Sequence, residues 1–324
     1  MVAVSKRRST GLVWVTAGAC LWGTDTVFRR PLTAHLDSIT IVLLEHLILS
    51  LVLLPMLWSR RSEWTQLGAG KWVAVIGIAW GGSALATVLF TEAVRTGNPS
   101  TAVLLQKSQP MFAGLLAGIF LSEPLGIRFF SRLAVATAGA YLISFGVQMP
   151  HIAGASAASF LALGAAGLWG ASTVLGRYVL GSLTPLTLTA LRITIALPML
   201  AALALYRGPV LASGIAGRQV LFLLLVAFVP GLAGLMVYYR GLRGSYASRA
   251  AVAELCFPAT AVLLNWVFFD TRISAAQGAG FLLLAATMVS WSSAKSGPER
   301  ETDCATHFEA LSDHPLLLEN KEYH

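Results

Sequence analysis

Residues 166–177, AGLWGASTVLGR, repeat residues 19–30, ACLWGTDTVFRR, with seven of twelve positions identical at an offset of 147. No other feature restricts the fold as tightly, because self-similarity at a fixed spacing marks a duplicated structural unit. The echo continues downstream. LPML at 54–57 returns at 197–200, and AVLLQKSQP at 102–110 aligns with AAVAELCFP at 250–258 at an offset of 148. The chain therefore divides into two halves, 1–150 and 151–294, followed by a tail over 295–324.

The duplicated unit is apolar. Hydrophobic residues make up 56% of the chain and charged residues 12%, about half the usual charged share, and the mean hydropathy is +0.71. Ten long apolar runs are expected to be helical spans: 11–28, 38–58, 72–94, 100–121, 132–147, 155–176, 185–205, 219–239, 250–269 and 275–292. Each is near the roughly 20 residues that a helix needs to cross about 30 Å of hydrocarbon. The runs are continuous rather than alternating, which excludes a transmembrane β-barrel. The fold class is an all-α polytopic membrane protein with ten transmembrane helices in two five-helix repeats.

Five spans per half is an odd number, so the second copy enters the membrane upside down relative to the first. Inverted repeats are a recurring plan for secondary transporters, which hold substrate near the midplane between the repeats. Lys and Arg set the orientation. With both termini cytoplasmic, fifteen basic residues fall in the inside segments and six outside. The net charge of +8 is thus a topology signal. It is no nucleic-acid footprint, since no basic cluster is interleaved with stacking aromatics.

Cys20, Cys256 and Cys304 show no CxxC spacing, so neither a disulfide framework nor a metal site is expected, and no cofactor. Lys6-Arg7-Arg8 before an apolar run imitates a signal peptide, but the run continues past Cys20 and its Trp-Gly returns as a span in the second half. Residues 295–324 hold seven acids against three bases and read as a disordered cytoplasmic tail. Its DHPLLL stretch resembles an acidic dileucine signal.

Ionisable groups inside spans cost roughly 2.5–3.5 kcal/mol each on insertion scales and are functional candidates by default. The spans contain Asp25, Glu45, Glu92, Lys107, Arg192 and Glu254. Glu92 lies near a helix end, within reach of the interface. Glu45 and Arg192 occupy matching repeat positions with opposite charges, either as a locking ion pair or as ligands for substrate or protons. Gln106 and Glu254 also match, each four residues before a proline that cannot donate to the carbonyl there. A free carbonyl and a polar side chain then coincide in both halves, which points to a cavity wall. Lys107 is expected to act as countercharge to Asp25 or Glu45, while Arg29, at i+4, is a local partner for Asp25. Trp22 offers a stacking wall beside Asp25, and Tyr238 and Tyr239, with Trp80, are candidates for the same role. His46 adjoins Glu45 and is more often structural than a ligand in such a setting.

Together these residues resemble the EamA-type members of the drug/metabolite transporter superfamily. The resemblance covers about 11–293. It rests on Leu21-Trp22-Gly23 and Leu168-Trp169-Gly170 in the first helix of each half, Arg192 in TLTALR, Gln109-Pro110 with Leu121-Ser122-Glu123, and Phe257-Pro258. It implies a ten-helix secondary transporter that commonly exports amino acids, metabolites or xenobiotics by alternating access, often with proton coupling. Glu45 departs from the pattern, standing where the family frequently has a basic residue. The expected function is a permease of the cell membrane for a small polar or amphipathic metabolite such as an amino acid, zwitterionic because acids and bases share the core. Asp25, Glu45 and Glu254 would carry protons, and Lys107 and Arg192 would hold an anionic group or gate the cavity. A channel or scramblase-like protein is the main rival. An intramembrane enzyme is disfavoured by the absence of HExxH and GxSxG.

Overall fold

The computed structural model describes residues 2–33, 35–148, 156–207, 217–270 and 272–292, except for the side chains of 2–9, 207 and 292. The acidic tail, Cys304 and the junction at 150–151 lie outside the described residues. Within them the chain is helical throughout: α1 (Val2–Gly23), α2 (Asp25–Thr33), α3 (Ser38–Ser59), α4 (Arg61–Trp64), α5 (Ala69–Thr96), α6 (Pro99–Gln106), α7 (Gln109–Phe120), α8 (Ile127–Phe145), α9 (Ala157–Val179), α10 (Pro185–Arg207), α11 (Gly217–Arg243), α12 (Ala247–Glu254), α13 (Phe257–Phe269) and α14 (Ala275–Ser292).

By length and composition, six helical stretches among the described residues can cross a membrane: α3, α5, α9, residues 185–206 of α10, α11, and α12 with α13 taken as one stretch over 247–269. Their outer faces are apolar, with Leu51 74% exposed, Val73 69%, Phe160 67% and Leu205 82%. An apolar surface of that extent needs lipid rather than water around it. The protein is an integral membrane protein.

Local sequence fixes the helix ends. Asp37 accepts hydrogen bonds from the backbone N–H groups of Ile39 and Thr40, and Asn98 from those of Ser100 and Thr101, which satisfies N-terminal donors that a helix cannot pair itself. Ser122 and Asp270 end α7 and α13 in the left-handed region, each at φ 51°, and they stand at matching positions of the two halves.

Three expected spans are not continuous. The first breaks at Thr24, the fourth at Lys107-Ser108 and the ninth at Leu255-Cys256. The last two breaks have one cause. Pro110 and Pro258 offer no N–H to the carbonyls of Gln106 and Glu254, and the chain passes through tighter i→i−3 turns instead, Ser108 N to Leu105 O at 3.0 Å and Cys256 N to Ala253 O at 3.1 Å. A second matched irregularity is a π-helical segment within α5 (Gly77–Leu85) and within α11 (Ala227–Gly234). Such wide turns often mark functional sites.

Packing exchanges the two halves. α1 lies on α11, α12 and α13, and its counterpart α9 lies on α5, α6 and α7; the equivalent helices α3 and α10 pack on each other, as do α8 and α14. α8 and α14 run antiparallel, because Arg132 Nη2 donates to Ser290 O at 3.1 Å while Gln277 Nε2 donates to Ile143 O at 3.1 Å.

The repeated Trp-Gly has a structural reason here. A Cβ on Gly23 would stand 2.7 Å from the Phe257 carbonyl oxygen, and one on Gly170 would stand 3.0 Å from that of Gln109. Phe257 and Gln109 begin α13 and α7, the segments that follow the breaks. Only glycine lets α1 and α9 approach those backbones so closely. The tryptophan one residue earlier, about 100° round the helix, is left to face the centre.

Candidate functional site

A cavity of about 520 Å³ lies at the centre of the bundle, lined by residues of both halves, within the range of small-molecule sites. Its wall includes Trp22, Asp25, Glu45, His46, Gln106, Lys107, Arg192, Tyr238 and Glu254 of the residues singled out in the sequence. Tyr239 is fully buried below it. The lining extends to Ser38 and Thr91, near the ends of α3 and α5, and on the opposite side takes in Arg192, Glu254 and Ala251. Leu188 and Leu242, like Tyr239, are fully buried.

The break at Thr24 creates α2 and with it the first polar cluster. Arg29 donates to Asp25 from Nε at 2.6 Å and from Nη2 at 2.7 Å, and Nη2 also reaches Glu45 Oε2 at 3.2 Å. Arg29, one residue beyond the expected first span, lines the cavity and joins both carboxylates. The local Asp25–Arg29 pair foreseen from the i+4 spacing is present. Glu45 and Arg192 share the cavity without forming the ion pair that their repeat positions suggested, because Arg29 takes Glu45. Arg192 donates from Nε to Ser83 Oγ at 2.6 Å and from Nη1 to Tyr239 Oη at 2.8 Å. His46 is fixed by Nδ1–H donating to the Val42 carbonyl at 2.8 Å, a structural tie within its own helix.

Lys107 is not a countercharge to Asp25 or Glu45. It is buried, its Nζ lies 4.8 Å from the centroid of the Phe257 ring, and no carboxylate stands within ion-pair distance among the described residues. Arg29 already satisfies both acids, so Lys107 turns to an aromatic face, where a cation is stabilised by the ring quadrupole. Glu92 pairs with Arg95 near the end of α5, in keeping with its expected place at an interface. Trp80 does not line the cavity; it donates from Nε1 to Ile195 O at 2.8 Å.

Glu254, the last residue before the break in the second half, gathers neutral donors. Oε1 accepts from Tyr238 Oη at 2.6 Å and from Thr173 Oγ1 at 3.1 Å, and Oε2 accepts from Gln109 Nε2 at 2.5 Å. Above this cluster stand two aromatic pairs. Trp22 and Tyr238 have ring centroids 4.7 Å apart, and Phe90 and Trp169 have centroids 5.5 Å apart. Trp22 and Trp169 are repeat mates, as are Tyr238 and Phe90, so the pairs are one arrangement made twice. Ser172 also lines the cavity, with a buried Oγ that has no hydrogen-bond partner among the described residues. Among those residues no three His, Cys, Asp or Glu side chains converge as a metal site.

Sequence reasoning missed Arg29 as a wall residue, and with it Ser83, Phe90, Gln109, Trp169 and Thr173. Trp169 was findable: its mate Trp22 was already a candidate, and the duplication carries one to the other. Ser83 and Phe90 sit in and just beyond a π-helical segment, for which the sequence holds no comparable signal.

Apolar helices around a central, polar-lined cavity shared by two halves define a membrane carrier. The chain belongs to the EamA-like transporter family, whose model matches residues 9–145 and again 156–291. It is 27% identical over 290 residues to the riboflavin transporter ImpX of Fusobacterium nucleatum subsp. nucleatum, an alignment covering 86% of this chain and 96% of that protein. A solved crystal structure 17% identical in sequence superposes with a TM-score of 0.73 over 88% of this chain and 96% of its own, a likeness of fold. The protein is a membrane transporter and not an enzyme.

Proposed function

We propose that the chain carries a planar, hydrogen-bonding heteroaromatic metabolite of the riboflavin class across the cell membrane. It does so by alternating access between two inverted five-helix repeats, ten crossing segments in all, with both termini cytoplasmic. The exchange of contacts between halves and the antiparallel packing of α8 on α14 support the inversion. The count of basic residues supports the orientation, and in that orientation the cavity faces outward.

The substrate class rests on the paired aromatics. Two rings from each half line one cavity, and planar ligands bind aromatic rings by offset stacking. At one edge Gln106, Ser172 and the Gln109–Glu254–Thr173 cluster supply donors and acceptors for ring carbonyl and N–H groups. An amino acid would need an acid and a base free to pair with it. Asp25 and Glu45 are held by Arg29, which weakens that reading, although Lys107 and Arg192 remain available to an anionic group. Substrate leaves in exchange for protons carried by Asp25, Glu45 and Glu254.

Counterflow of radiolabelled riboflavin in proteoliposomes tests the assignment. Saturable exchange, accelerated by riboflavin on the other side and driven outward by external acid, is the expected result. Acceleration by amino acids with none by riboflavin would transfer the site to the zwitterionic class, and unsaturable flux would make the protein a channel.

A further inference from the structure

We propose that Arg192 and Ser172 form a subsite for an oxyanion, a carboxylate or phosphate brought by the transported compound. The subsite belongs to the cavity described above, and its occupancy by substrate rests on the riboflavin reading. It emerges from setting the two halves side by side. At the offset of 147, Asp25 corresponds to Ser172, Glu45 to Arg192 and Arg29 to Gly176. In the first half two acids are joined by a cation that the chain itself supplies. The second half reverses the polarity. A hydroxyl and a guanidinium stand in place of the acids, and Gly176, in place of Arg29, has no side chain with which to bridge them.

The charge of Arg192 meets neutral oxygens alone. Nε donates to Ser83 Oγ at 2.6 Å and Nη1 to Tyr239 Oη at 2.8 Å. No carboxylate lies within ion-pair distance of it among the described residues. Glu254, in the same cavity wall, is engaged by Tyr238, Thr173 and Gln109 instead. The two bonds fix the guanidinium plane and leave Nη2 without a hydrogen bond among those residues. Ser172 is 5% exposed, and its Oγ is likewise unpartnered. The two groups come together over Gly82, where a Cβ would touch Ser172 Oγ and lie 3.8 Å from Arg192 Nη2. Gly82, Ser172 and Arg192 all line the cavity.

An unmatched charge and an unmatched hydroxyl in one wall each cost free energy. An oxyanion satisfies both, because it accepts a charge-assisted bond from Nη2 and a second bond from Oγ. A cation or a neutral donor answers only the hydroxyl. Trp169 precedes Ser172 by three residues and so shares its helix face. The aromatic pairs then hold a ring system and this corner its charged end, while Gln106 and the Glu254 cluster are left to the ring edge. A phosphorylated or carboxylated heteroaromatic compound therefore fits better than an uncharged one.

The test is thermal unfolding of the full chain in detergent at constant ionic strength, titrated with riboflavin, riboflavin monophosphate or inorganic phosphate. In the parent the phosphorylated flavin should protect at about tenfold lower concentration than riboflavin, the factor for one charge-assisted hydrogen bond. Arg192→Gln should erase that advantage, Ser172→Ala should cut it to about threefold, and Arg61→Gln, on α4, should keep it. Ser172→Ala removes only an unpaired hydroxyl, so it reports on binding even if Arg192→Gln proves misfolded by gel filtration. Inorganic phosphate that protects the parent and not these two variants, with the two flavins alike, would keep the subsite and overturn its occupancy by substrate. The same protection with no effect of either flavin would retire the riboflavin reading and leave the subsite standing. Flavins that act alike without a variant-sensitive effect of inorganic phosphate, or an advantage that survives both substitutions, overturns the proposal. So does a parent indifferent to all three compounds.

Discussion

Replacing Arg29 with Gln removes the cation that joins Asp25 to Glu45 and leaves two carboxylates facing each other in the cavity wall. Breaking a fully buried ion network from one side costs about 3–5 kcal/mol. Here the side chains of Arg29, Asp25 and Glu45 are 24%, 29% and 12% exposed, so water in the cavity screens part of the repulsion and about 2 kcal/mol is expected. At about 2 °C per kcal/mol, the low end for a chain of this size, the midpoint of thermal unfolding in detergent should fall by about 4 °C. The triple variant Arg29→Gln, Asp25→Asn, Glu45→Gln keeps the shapes and discards the charges, and it should recover most of that loss while transport stays impaired. A single variant as stable as the parent, or a triple variant no better than the single, would refute the picture of one guanidinium neutralising two acids.

Trp22→Ala and Trp169→Ala should each raise the KM for riboflavin in counterflow about tenfold, since a stacked ring contributes about 0.5–1.5 kcal/mol beyond the area it covers; an effect at one position alone would break the pseudo-symmetric reading of the site. Gly23→Ala places a methyl group 2.7 Å from a backbone carbonyl and should cost about 1–3 kcal/mol by overpacking, visible as a lower unfolding temperature, whereas Gly68→Ala, with open space around it, should not lower it by overpacking. Glu63, on α4 between spans, would be raised by burial, but hydrogen bonds from Thr184 N, Thr187 Oγ1, Thr184 Oγ1 and Arg60 overcome this and hold it at about 2, below the ordinary 4.5. Because the folded pKa is depressed, the contribution is complete above the unfolded value and lost as pH falls. The stability gap between the parent and Glu63→Gln should therefore be full at pH 7 and close between about pH 5 and pH 2 in thermal melts.

Much of the architecture could be read from runs of apolar residues, because a lipid solvent demands them; α3, α5, α9, α10, α11 and α14 fall within a few residues of their expected limits. The prolines at 110 and 258 signalled where helices give way, through a missing donor that is visible in the sequence. The break at Thr24 carried no such mark, and it changed the site most, since it made Arg29, just beyond the expected span, the hub of a charge cluster. Lys107 failed for a related reason: pairing by charge alone overlooks a cation already nearer to both acids. The π-helical segment in α5 was likewise silent, since it contains no proline. The one in α11 holds Pro230, a helix-interior proline that could have been noted.

The pairing of each Trp-Gly with the far half has a consequence for how such a carrier can change. A substitution that widens the seat of Gly23 shifts α13 and also moves Trp22, while Phe257, first in α13, sits under Lys107. Neither half owns its substrate wall outright. Selectivity is joint property, and variants that retune it should arise as matched changes on both sides of the duplication.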